Sequence, residues 1–505
     1  MARVPADDQL PEAGKLPTGR IARTARVGGL VTGQGVQWAG MRAANRVRKP
    51  DRATTAERER TAALVHQLVE QLGQMRGAAM KVGQMISMIE FDGLDEEQQD
   101  ELQRKLATLR DDVPPVPFKR LEKLMRREFG VPLQRLFSDF DERAFAAASI
   151  GQVHRARTVA GDDVVAKIQY PGVAEAVETD LRNAMLLLPL VKRLAPGLDA
   201  KALAIEMRER ISEELDYELE AQNQRRVERL MRGHPFILVP RVDTKLSTRR
   251  VLVSEYIDGQ RFETVRRGEE TERDRYGEIV FRFFFGLLYR DRIALGDPHP
   301  GNYLLCPDGR VGFVDFGLLA DVDADRLAAE RALALAVRRR DPDALKEALI
   351  AGGYLPSARA DVLDADFALR LMRRALRWYA VPGERRFNRD DRRRRPEHGS
   401  DPERNRGPEP ESDLERDRGR RREPPSGEQR DAIKTQVNQF TLPPGALLIR
   451  RMHGLVAVVL DQLQAGANWG GIAAEYLHGA PPATPLGQLE ADFLERRAHT
   501  VRFRG

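Results

Sequence analysis

A chain of 505 residues, 41% hydrophobic and 32% charged, is long enough for two or three domains and a real core. Its net charge of +6 comes from 83 Lys and Arg against 77 Asp and Glu, a near balance that excludes a nucleic-acid tail protein. No zinc-ligand cluster and no RNA- or DNA-reading motif occurs, and the single cysteine, Cys306, rules out a disulfide framework and suits a reducing compartment.

The opening "MARVPADDQLPEAGK" has no apolar run, so no signal peptide is expected. No stretch reaches the ~18 uncharged apolar residues of a membrane-spanning helix. The best candidate, residues 442–463, is cut by Arg450 and Arg451 and reads as a buried or amphipathic helix. The expectation is a cytoplasmic protein without a transmembrane segment, whose membrane contact is at most peripheral.

Residues 1–52 carry ten Lys or Arg against four acidic residues, which reads as a flexible basic arm. From 53 to 130 the pattern is helical: Leu64, Leu68, Leu72 and Met75 recur at helical spacing, as do Leu102, Leu106 and Leu109. "DDVPPVPF" interrupts, and "KRLEKLMRREFG" resumes the helix until Gly130. Residues 143–170 alternate as strands, "QVHRARTV" and "VVAKIQY", around the turn "AGDD". Helix is expected over roughly 174–232, then strands at "ILVPRV" and "VLVSEYI". A helix rich in aromatics is expected from Glu263 to Leu295, with Phe281, Phe283, Phe284 and Phe285 as core.

The next stretch, "ALGDPHPGNYLLCPDGRVGFVDFGLL", carries the densest chemistry. Asp297 precedes Asn302 by five positions, and Asn302 precedes Asp315 by thirteen. A loop Asp, an Asn five on, and Asp-Phe-Gly after a short hairpin build the metal and phosphate site of a protein-kinase-like fold. Asn302 and Asp315 supply oxygen ligands for magnesium, and Asp297 a carboxylate near the attacking oxygen. Helices follow over about 323–380. Residues 388–428 hold Leu414 as their only aliphatic or aromatic residue, too little apolar surface to offset ordering entropy, and read as a disordered insertion. Helices resume from 429.

Four upstream features complete a nucleotide site. Lys167 shares a strand face with Val165, where a kinase-like fold holds the α- and β-phosphates. Glu213, Asp216 and Glu220 fall at i, i+3 and i+7, and one of them should pair with Lys167. The turn before Lys167 is Ala146-Ala147-Ala148-Ser149-Ile150-Gly151. Alanines restrict the backbone where ordinary kinases place glycines, which predicts altered nucleotide handling. "SEYIDG" fits the hinge, with backbone groups from Glu255 to Ile257 meeting adenine.

Three segments together resemble the UbiB-like, or AarF, family of atypical kinases: Lys81-Val82-Gly83-Gln84, "AAASIGQVHRA", and "GDPHPGN" followed by "VDFG". Glu214-Leu215-Asp216 resembles the family's Glu-x-Asp motif, and the likeness covers roughly residues 70–350. Leu295-Gly296 departs from the His-Ala often found before the catalytic Asp. The resemblance implies an α+β, bilobal protein-kinase-like fold with a helical N-terminal extension over the active site. Its parts would be the arm 1–52, the extension 53–130, an N-lobe 131–257, a C-lobe 258–383, the insertion 384–428 and C-terminal helices 429–505. It further implies ATP and magnesium as cofactors, Lys167 paired with Glu220, and Asp297 as the catalytic-loop residue. Lys81 and Gln84 would lie over the site, with Lys81 meeting Glu214 or Asp216. The implied function is kinase or ATPase chemistry supporting isoprenoid quinone biosynthesis or lipid homeostasis, with an anionic or isoprenoid lipid as partner. Two alternatives share the Asp-Asn-Asp core: a small-molecule phosphotransferase of the aminoglycoside or choline kinase type, and a nucleotide-gated lipid-binding scaffold without turnover.

Overall fold

The computed structural model describes residues 116–148, 150–186, 215–387 and 445–502, together with 205, 208, 212–213, 435–437 and 439–443. The basic arm, most of the helical extension, Lys81, Gln84, Ser149, Glu214 and the insertion from 388 to 428 lie outside the described residues. The chain mixes helix and sheet and divides into two compact units. Among described residues, the first comprises those up to Arg229, Pro240–Tyr256 and Phe316–Leu318. The second comprises Leu230–Val239, Ile257–Asp315 and the residues from Leu319 onward.

In chain order the first elements are α1 (Phe118–Phe129), β1 (Phe137–Phe140), β2 (Ala146–Ala147), β3 (Gly151–Thr158), β4 (Asp163–Gln169), α2 (Val173–Leu186), α3 (Tyr217–Met231), β5 (Ile237–Leu238) and β6 (Val251–Glu255). The first unit is built on an antiparallel sheet in the order β1-β3-β4-β6, with β2 pairing β3. On β4, Val164, Ala166 and Ile168 are buried in one core while Val165 and Lys167 face the other way, as strand alternation requires. Leu121, Leu124 and Met125, spaced i, i+3, i+4 on α1, close the apolar face with Val251 and Val253. Gly130 ends α1 at φ 70°, a left-handed cap that glycine adopts without steric cost.

The second unit continues with β7 (Gln260–Arg261), α4 (Phe262–Arg266), α5 (Glu270–Tyr289), β8 (Ile293–Leu295), β9 (Tyr303–Leu305), β10 (Val311–Phe313) and β11 (Leu319–Asp321). Then come α6 (Ala324–Arg339), α7 (Pro342–Ala351), α8 (Ala365–Ala380), β12 (Arg385–Arg386), α9 (Ala446–Leu463), β13 (Gly466–Ala467), α10 (Trp469–His478) and α11 (Pro485–Arg502). One small sheet runs β5-β10-β9-β7, and β8 pairs with β11. Every residue of α5 from Tyr276 to Tyr289 is buried. Its aromatic rings form the core: Phe283 stacks on Phe313 at 3.6 Å, and Phe281 stacks on Phe285 at 3.9 Å. Among the described residues no helix is long and apolar enough to cross a membrane.

Three sequence expectations need correction. The aromatic helix does not run from Glu263 to Leu295; it breaks near Gly268 and ends at Tyr289. Arg292, at φ 58°, reverses the chain into β8, whose three residues are too few to betray a strand period. "ILVPRV" shrinks to Ile237–Leu238, because Pro240 cannot donate to a ladder. Asp216 does not sit within a helix face with Glu220. It precedes α3 and caps it, accepting from the Glu218 N–H at 3.0 Å and the Leu219 N–H at 3.2 Å.

Candidate functional site

Two clusters, one in each unit, contain the described candidate residues. In the first unit, Lys167 lies mid-sheet, opposite Val153 on β3 and Leu252 on β6. Its Nζ donates to both Glu220 oxygens, at 2.6 and 2.9 Å. Glu220 is 3% exposed and Lys167 18%, so this is a shielded, bidentate ion pair. The Tyr217 ring stands 5.1 Å from the ammonium and adds a cation–π contact. The start of α3 is held to the sheet: Gln169 Nε2 donates to Leu215 O at 2.8 Å, and the Tyr217 N–H to Arg249 O at 3.0 Å. The sheet therefore fixes the lysine, and its own edge fixes the helix that carries the glutamate.

The alanine segment is tighter than a long loop. Ala146 and Ala147 pair with Val153 and Gln152, and the Ala148 N–H bonds Gly151 O at 2.9 Å. Gly151 has no room for a side chain, since a Cβ there would stand 2.3 Å from Ile168 O and 3.0 Å from the Tyr217 hydroxyl. At the "SEYIDG" stretch, the Glu255 N–H bonds Arg241 O at 2.8 Å and the Tyr256 N–H bonds Asp163 O at 3.0 Å. Both of those donors are thus committed within the first unit. The same unit ties down Phe316, buried to 0% exposure: Asn223 Nδ2, one turn beyond Glu220, donates to Phe316 O at 3.2 Å.

In the second unit, β8 ends at Leu295 and delivers Asp297 into a tight loop. The His299 N–H bonds Asp297 O at 2.7 Å, and His299 caps the following turn by accepting from the Gly301 N–H at 3.1 Å. Pro300, at the first position of that turn, presets its φ. Asn302 then donates its Nδ2 to Asp297 O at 3.4 Å, which assigns its amide oxygen to any cation. The β9–β10 hairpin, closed by Asp308-Gly309, carries the chain to Asp315. Tyr303, fully buried on β9, has its hydroxyl pKa pushed well above the usual value, first by burial and then by Asp297, Tyr276 and Asp315.

This donor set suits magnesium. Asn302 and Asp315 offer hard oxygen ligands, and no group of three His, Cys, Asp or Glu among the described residues could hold a metal. Magnesium keeps waters and phosphate oxygens beside one or two protein ligands, so such a sparse set is what a nucleotide-bound ion requires.

Sequence reasoning missed two neighbours of these clusters. Asn223 gave no signal beyond its spacing from Glu220. Arg451, read only as an interruption of an apolar run, is 5% exposed and places its guanidinium 3.6 Å from Asp297 Oδ1. Its distance of more than 150 positions from Asp297 hides that pairing.

Comparison with known proteins gives a consistent relationship. A family model described as the ABC1 atypical kinase-like domain matches residues 108–349. The Danio rerio protein "Atypical kinase COQ8B, mitochondrial" is 30% identical over 321 residues, covering 61% of this chain and 49% of that one. The chain therefore spans about half the length of that relative. The Saccharomyces cerevisiae "Atypical kinase COQ8, mitochondrial" is 28% identical over 347 residues, 68% of either chain. A solved complex of Rv3197 with erythromycin from Mycobacterium tuberculosis has a TM-score of 0.56 and 29% identity, covering 85% of this chain and 99% of that one. Residues 108–349 match the ABC1 atypical kinase-like domain, and these relatives support the UbiB/AarF family of atypical kinases for this chain.

Proposed function

We propose that this protein binds Mg-ATP and acts as an atypical kinase or ATPase, supporting isoprenoid quinone biosynthesis or lipid homeostasis at a membrane surface. The observation that carries the reading is the shielded Lys167–Glu220 pair, which fixes an ammonium for phosphate oxygens. Lys167 holds the α- and β-phosphates. Asp297 accepts the proton of the attacking oxygen as that oxygen bonds to the γ-phosphorus and the bond to the leaving ADP oxygen breaks. Asn302 and Asp315 would hold magnesium, which would supply neutralisation of phosphate charge when bound. In the same reading Ala146 to Gly151 cover the phosphates, and the bilobal kinase plan has its N-lobe at 131–257 and its C-lobe at 258–383. The 53–130 extension brings Lys81 and Gln84 to the nucleotide beside Glu214 or Asp216.

The test is ADP release with and without vesicles containing anionic and isoprenoid lipids. Wild type should turn over ATP, and Asp297→Asn should lose at least about 100-fold in kcat. Equal release from both proteins removes the catalytic role of Asp297, and release from neither leaves a nucleotide-binding scaffold. Indifference to the vesicles removes the membrane part.

A further inference from the structure

Helix α9 begins at Ala446, almost a hundred residues beyond the end of the family-matched segment at 349. It packs against α5 and against β8, the strand that delivers Asp297. Two adjacent arginines on this helix do different things, because successive helical residues project about 100° apart. Arg450 forms an ion pair with Glu330 of α6 and lies 5.4 Å from the Tyr354 ring. Arg451 then points inward, between Met452 and the other buried residues of the helix, at Asp297.

Burying a guanidinium costs several kcal/mol unless an opposite charge meets it. A hydrogen bond would demand a shorter approach than the 3.6 Å observed between Arg451 and Asp297 Oδ1. The pair therefore acts through charge and packing. Asp297 has to keep its carboxylate among phosphate oxygens that repel it, and an adjacent fixed cation opposes that repulsion.

We infer that Arg451 is a positioning residue for phosphoryl transfer, a countercharge supplied from α9 that holds the Asp297 carboxylate in its working orientation. This rests on the phosphoryl-transfer reading above. The role assigned to Arg451 is exerted through Asp297.

The experiment compares full-length wild type, Arg451→Met, Arg451→Lys, Asp297→Asn and the Arg451→Met/Asp297→Asn double variant. Steady-state ADP release, binding of a fluorescent ATP analogue and thermal unfolding are measured for each. Methionine keeps the length and packing of the side chain and removes its charge. Arg451→Met should lower kcat about 10- to 100-fold with KM for ATP and analogue affinity nearly unchanged. Arg451→Lys should recover part of kcat, because it restores charge without the planar fork. In the Asp297→Asn background, Arg451→Met should cost nothing further, since both act through one carboxylate. A purely structural role predicts the opposite: a lower unfolding midpoint, with kcat per folded molecule unchanged and no coupling to Asp297. Full kcat in Arg451→Met while Asp297→Asn is inactive overturns the positioning role alone. Turnover that Asp297→Asn leaves intact overturns the phosphoryl-transfer reading and, with it, the role of Arg451.

Discussion

Burying a carboxylate to 3% exposure is costly unless a cation meets it, and Lys167 meets Glu220 with two hydrogen bonds. The pair holds the ammonium at one point above the sheet, where a mobile lysine would sweep through many rotamers. Glu220→Gln keeps the shape and removes the charge. The expected result is a fall of about 100-fold in kcat/KM for ATP, since small displacements of a positioning group have effects of that size. Steady-state ADP release measures it, and a value within a factor of about two of wild type would show that Lys167 needs no partner. Asp216, two positions from the neighbouring carboxylate of its motif, instead caps α3 and sits 3.6 Å from Arg249. Side chains two apart need not share a task.

Elements of the second unit are fastened by charge as well as by rings. Arg282, fully buried on α5, donates to Glu278 at 2.7 Å, to Glu475 on α10 at 2.8 and 2.9 Å, and to Glu490 on α11 at 3.1 Å. Arg290 adds a second contact to Glu490 at 2.7 Å. One guanidinium thus joins three helices. Arg282→Met should destabilise the protein by about 3–5 kcal/mol, because it leaves buried carboxylates without their cation. Urea unfolding checks this; a loss below about 1 kcal/mol would mean that the carboxylates find other partners. At this scale the limits of sequence reading are plain. The β3–β4 hairpin, the cap at Gly130 and the buried α5 were legible because period, turn residues and apolar density are local. Arg282 was not: inside "FRFFFGLLY" it looks like an interruption, and its partners on α10 and α11 lie 193 and 208 residues downstream. The pairing of Lys167 with a carboxylate of the following helix was legible from strand alternation and helical spacing, while the roles of Asp297, Asn302 and Asp315 belong to the proposal. Arg451 escaped, as Arg282 did, because a long-range ion pair leaves no local period.

For the whole molecule, buried titratable groups set a pH window of stability. Burial holds His154, His234 and His453 below the usual 6.5, so each resists protonation more in the folded chain than in the unfolded one. The unfolded chain binds those protons below pH 6.5, and stability falls as pH drops. Burial also penalises the Glu490 carboxylate, but His234, Arg290, Arg282 and Tyr476 outweigh it and hold the pKa at about 2, against 4.5 unfolded. Its contribution is present above 4.5 and lost as pH falls toward 2, which adds to the histidine effect. On the alkaline side, burial pushes Tyr289 up to about 12 and raises Tyr303, Tyr379 and Tyr476 well above 10. Those phenols stay neutral when folded, while unfolded tyrosines ionise above 10, so stability is complete below that pH and lost as it rises further. The urea midpoint should therefore be flat from about pH 7 to about pH 9.5 and decline on both sides. Glu490→Gln should remove the part of the acid decline below about pH 4.5. Circular dichroism at a series of pH values measures the curve, and a midpoint unchanged between about pH 7 and about pH 3.5 would show that the buried histidines and Glu490 do not govern acid unfolding.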